Sequence, residues 1–153
     1  VRFLLALIIW SSTFLTWTPD GKDTLAKMTV EPMPHDSWCQ IAELHYVMPA
    51  CVVETTIYYR PAFEMWVLLH ESQHVLCTKY GIGDSDWDKF AKVAIKALRK
   101  GDYSRAQIRE AKYMTSYGGH ELHAQLPWIV KGDIPPCLQR WYPWFDLKEA
   151  KEK

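Results

Sequence analysis

Two histidines four residues apart, with a glutamate directly after the first, form the strongest chemical signal in the chain: His70-Glu71-Ser72-Gln73-His74. Residues spaced by four face the same way on an α-helix, so both imidazoles can hold one metal ion. Glu71 then projects beside that ion without having to bind it. There it can take a proton from a water activated by the metal and later return it to a leaving amine. A second cluster, His120-Glu121-Leu122-His123-Ala124, follows about 46 residues after His74 and holds two more of the six histidines. A catalytic zinc keeps three protein ligands and one open position. The third ligand is therefore expected from this cluster, with Glu121, His120 and His123 all competing for the place.

The elements that must position these groups follow from hydrophobic period. Met65, Leu68, Leu69, Val75 and Leu76 recur at helical spacing, which predicts a helix from about Pro61 to Gly81 that carries the first cluster. Before it, Ile41–Val47 and Cys51–Tyr59 are rich in β-branched and aromatic residues and read as strands. After it, Ser85-Asp86-Trp87-Asp88 opens a helix that ends at Gly101, and another is expected from about Ser104 to Met114. A short helix from His120 to about Leu126, stopped by Pro127, carries the second cluster. Strands first and helices after make an α+β domain. The aromatic run Trp141–Phe145 reads as a cap on the core rather than as a specificity pocket.

Class-level features narrow the function. Eighteen basic and eighteen acidic residues cancel, which argues against a nucleic-acid partner or a polybasic membrane-surface binder. Arg2 followed by the apolar run Phe3–Trp10 matches an export signal. Residues 1–19 are accordingly expected to be a signal peptide or signal-anchor, the alternative being a buried first helix. A single domain over 20–153 follows, placed in a secreted, periplasmic or membrane-anchored setting, with attachment through residues 3–17. Thr18-Pro19-Asp20-Gly21 reads as the turn that ends this leader. Cys39, Cys51, Cys77 and Cys137 contain no C-x-x-C pair, so neither a zinc knuckle nor a dithiol redox site is expected. An exported chain allows two disulfides among them, and a reducing compartment would leave them as small buried residues.

On the residues His70-Glu71-Ser72-Gln73-His74 and Glu121-Leu122-His123-Ala124, the chain resembles the HExxH zinc metallopeptidases, in particular the gluzincin pattern. There the third ligand is a glutamate in an E-x-x-A segment of a later helix. The resemblance covers roughly residues 52–127. It implies a small zincin-like domain: a short sheet, the HExxH helix, then further helices. It implies Zn²⁺ held by His70, His74 and Glu121, Glu71 as general base, and a peptide or protein substrate. It also implies a donor for the oxyanion that forms when water attacks a carbonyl, for which His123, Tyr117 and Tyr113 are the candidates. In such enzymes the substrate commonly lies as an added strand along an exposed sheet edge, a task for the Val52–Tyr59 segment. The metzincin continuation is absent. The alternative is a zincin-fold protein that binds zinc without peptidase activity.

Overall fold

The computed structural model describes residues 2–35, 38–39, 49–60 and 64–147. Within them a three-stranded sheet lies beside a set of helices, so the architecture is α+β. The helices α1 (Arg2–Ser11) and α2 (Pro19–Ala26) precede strands β1 (Thr29–Pro32), β2 (Ala50–Val53) and β3 (Thr56–Tyr59). Then follow α3 (Met65–Lys79), α4 (Trp87–Lys100), α5 (Arg105–Thr115) and α6 (Gly119–Ile129), and a 3-10 turn over Pro136–Trp141. The expected strand Ile41–Val47 and the expected helix start at Pro61 lie outside the described residues.

The apolar N-terminal run is a helix that docks on the rest of the chain. Leu4 and Leu7 enter the core, and the buried Ser11 Oγ donates to the Leu7 carbonyl while accepting from Trp17 Nε1. Leu5 and Ile9 on its outer side are exposed. No helix among the described residues is long and apolar enough to cross a membrane. Thr18-Pro19-Asp20-Gly21 is a helix start instead of a free turn: Thr18 Oγ1 accepts from the Gly21 amide, and Pro19 fills the first helical position, where its missing N–H costs nothing.

What reads as one strand over Cys51–Tyr59 is a hairpin. Val53 pairs with Thr56 and Ala50 with Tyr59, leaving Glu54-Thr55 as a two-residue turn with Glu54 at φ 57°. Such a turn needs positive φ, which Gly, Asn or Asp normally supplies, so Glu-Thr gives no signal in sequence. β3 is central, with β1 parallel to it and β2 antiparallel. β2 is thus an edge strand among the described residues, and it is also the strand packed most closely along α3. Of the four cysteines, Cys39 and Cys51 form a disulfide, while Cys77 is a buried thiol and Cys137 an exposed one.

The helix α3 buries Leu68, Leu69, Val75 and Leu76, the stripe expected from period, and ends at Gly81, whose φ of 72° lets the chain turn away. Asp86 and Ser104 cap α4 and α5, the latter through a reciprocal bond with Gln107. The last helix departs from expectation, because α6 runs through Pro127. Proline removes the N–H that would bond the carbonyl four residues earlier, His123. That carbonyl accepts from Tyr142 Oη at 2.8 Å instead, so the helix continues without an orphaned oxygen. Tyr142 belongs to the aromatic run expected as a cap, and Trp141, Tyr142, Trp144 and Phe145 are all buried in the core.

Candidate metal centre

Both halves of the site rest on rigid helices packed against each other, α3 and α6. At the start of α6, Gly118 has φ of 121°, and a Cβ on Gly119 would overlap the Trp87 carbonyl of α4. The glycine pair therefore lets α6 begin hard against α4, which sets the rotation of Glu121 toward α3. Glu121 then reaches both histidines: one carboxylate oxygen is 3.1 Å from His70 Nε2 and the other 3.0 Å from His74 Nε2. The two imidazole nitrogens face each other at 3.2 Å. Ligand-type atoms of the three side chains lie within 4.8 Å of one another.

These separations have a direct physical reading. Ligands about 2.0–2.1 Å from a tetrahedral ion stand roughly 3.3–3.4 Å apart along the tetrahedron's edges. Facing lone pairs at 3.2 Å repel unless a cation sits between them or one ring is protonated. The donor set of two imidazoles and a carboxylate suits zinc. The histidines and Glu121 also act on one another electrostatically. Burial opposes charging of His70, yet the Glu121 hydrogen bond and the charges of Glu71 and Glu121 outweigh it and raise its pKa. Burial likewise works to raise Glu121, but hydrogen bonds from His70 and His74 and their charges hold it well below the usual carboxylate range.

Gln125, which motif reading misses, fixes the state of His70. Its Oε1 lies 2.6 Å from His70 Nδ1, so Nδ1–H donates to the amide and Nε2 is the nitrogen turned toward Glu121 and His74. The available signal is spacing, since Gln125 stands four residues after Glu121 on the same helix face. Gln125→Leu is expected to weaken zinc binding by about 10- to 100-fold while the helices remain folded, measured by competition with a chromophoric chelator. Unchanged affinity would show that the tautomer is set elsewhere.

Glu71 is 6% exposed and lies beside the cluster without bonding to it. Burial raises its pKa, and the charges of His70 and His74 partly offset this. Glu71 lies between two openings. A cavity of about 530 Å³ is walled by Val52, His74, Trp87, His120 and the Cys39–Cys51 disulfide. A second, of about 310 Å³, is walled by Ala50, Trp66, His70, Tyr113 and Met114. Glu71 and Glu121 belong to both, and β2 runs alongside from Ala50 to Val52.

The remaining candidates separate clearly. His120, a competitor for the third ligand place, is half-exposed on the wall of the larger cavity, its Nε2 3.6 Å from Glu121. Tyr113 borders the smaller cavity, and its hydroxyl is 2.8 Å from that of the exposed Tyr117, which is not part of either wall. His123 is in the core, not on the open side as an oxyanion donor must be. It stacks on Tyr142 at 4.2 Å, its Nε2–H donates to the Trp141 carbonyl at 2.6 Å, and its Nδ1 faces Cys77 Sγ at 3.5 Å. Helix geometry explains the difference, since residues two apart point to opposite sides and Glu121 already faces the site.

Burial pushes the pKa of His123 down to about 3 against the carbonyl bond that favours its charge, so the ring is neutral. The folded state then binds fewer protons than the unfolded chain. The stability this neutral ring carries is complete above the ordinary value of 6.5 and is lost as pH falls toward about 3. The expected slope is about 1.4 kcal/mol per pH unit for one proton. Urea melts at neutral and mildly acidic pH should show it, and His123→Phe should flatten it; an equal slope in the variant would contradict this assignment. Compared with known protein families, curated proteins and solved structures, the chain gives no match.

Proposed function

We propose that this chain is a zinc-dependent peptidase of zincin-like build, with His70, His74 and Glu121 as ligands and Glu71 as general base. The observation that supports it most is a single one. Three ligand atoms converge at tetrahedral spacing beside a buried carboxylate, between two open cavities that Glu71 and Glu121 both wall. A structural zinc site needs four closed ligands and no neighbouring base. Three ligands, an open side and Glu71 suit catalysis instead.

Zinc, when bound, supplies Lewis acidity and a water whose pKa falls to about 7. The chain's own groups supply the rest. Glu71, made more basic by burial, accepts a proton and delivers it to the departing amine. Gln125 keeps His70 in the tautomer that leaves Nε2 free. His120, on the open wall, is placed to donate to the negative oxygen that develops on the substrate carbonyl, the role expected of His123 or Tyr117. Among the described residues the outer edge of β2 lies beside both cavities and offers backbone groups for an extended peptide. The Cys39–Cys51 disulfide, which forms part of the site's wall, supports an exported location.

The test is hydrolysis of mixed internally quenched peptides by zinc-loaded protein. Cleavage that a chelator abolishes and added zinc restores is the expected result. Stoichiometric zinc with no cleavage across the library would overturn the peptidase reading and leave a zinc-binding role.

A further inference from the structure

On the outer side of α4, away from the histidines, four cations border a groove of about 690 Å³. They are Lys92, Lys96, Arg99 and Lys100, all exposed. Ala91 and Ile95 contribute apolar surface beside them, and Asp88 is the one acid in the lining among the described residues. No salt bridge joins any of the four cations to an acidic residue among the described residues. In a chain whose charges cancel overall, this is a local concentration of unpaired positive charge around an apolar floor.

We propose that the α4 groove binds an acidic, extended segment of a polypeptide. The spacing carries the choice. Lys92, Lys96 and Lys100 recur every four residues, about 6 Å apart along the helix axis. Alternate side chains of an extended peptide stand about 6.6–6.8 Å apart. A segment with an acid at every second position therefore sets its carboxylates against the lysines, while the intervening side chains point away from α4. Single-stranded nucleic acid fits less well, because the lining has no aromatic ring on which a base could stack. A membrane fits less well too, because the feature is concave and has no projecting apolar residue. Trp87, one turn before Ala91 on the same helix, walls the larger cavity of the metal centre. Binding there does not depend on the metal reading.

The test is fluorescence anisotropy with a labelled peptide of alternating Glu and Leu. Comparison ligands are the same peptide with Lys for Glu, a short oligothymidine and phosphatidylserine-containing vesicles. The Glu peptide is expected to bind wild-type protein and to weaken as salt rises, while the Lys peptide does not bind. Lys92→Gln with Lys96→Gln should weaken it about fivefold, and Lys92→Glu with Lys96→Glu about 30-fold. Because these positions are exposed, the Gln pair decides the matter if the Glu pair fails to fold. Loss of metal in His74→Ala should leave this binding unchanged, which keeps its outcome separate from that of the peptidase proposal. Equal binding by wild type and both variants would overturn the assignment. So would tighter binding of the oligothymidine or of the vesicles.

Discussion

Glu71→Gln is expected to retain zinc and to lower kcat for peptide hydrolysis by about 10²- to 10⁴-fold, the usual contribution of a positioned general base. The substitution preserves shape and removes only the ability to take up a proton. It also separates function from structure. A carboxylate whose pKa is raised by burial is penalised for its charge in the folded protein. In metal-free protein the neutral amide should therefore melt no lower than wild type. If Glu71 served only packing, the isosteric variant would keep both its stability and its rate per folded molecule. Undiminished hydrolysis in Glu71→Gln would remove it from the mechanism.

The second large effect is on stability. Zinc that binds only the folded state adds about 4 kcal/mol when its free concentration is 1,000 times the dissociation constant. For a domain of this size that corresponds to a rise in Tm of roughly 8–16 °C. His74→Ala and Glu121→Ala should each abolish the rise, because each removes one of the three proposed ligands. His120→Ala should keep it, since the His120 ring lies on the cavity wall and not at the convergence point. Scanning calorimetry with zinc and with chelator reads all four proteins. An equal zinc-induced shift in Glu121→Ala would show that the third ligand is another residue.

These outcomes depend unequally on what a linear sequence can show. The His70/His74 pairing is a local property, because one helix and its period bring the two rings together. So is the stripe of α3 and the capping of α4 and α5. The choice among His120, Glu121 and His123 is not local. It depends on the rotation of α6, which is set by the contact of Gly119 with the backbone at Trp87. Once Glu121 faces α3, His123 falls into the core against Tyr142, a residue on a different element. Passage of α6 through Pro127 has the same origin, since the freed carbonyl finds its donor on that same tyrosine. The Glu54-Thr55 turn escapes notice because its residues lack the usual preference for positive φ. Cysteine pairing is likewise decided in space: a disulfide joins Cys39 to Cys51 on β2, while Cys77 faces His123 with its thiol pushed up to about 12 by burial.

The central claim is that one zinc ion sits between α3 and α6. Diffraction data collected on either side of the zinc absorption edge, from crystals of the zinc-loaded protein, test it most directly. One strong anomalous peak is expected about 2.0–2.2 Å from His70 Nε2, His74 Nε2 and a Glu121 oxygen, with an open position toward the cavities. A peak held by other side chains, or none between these helices at full zinc loading, would contradict it.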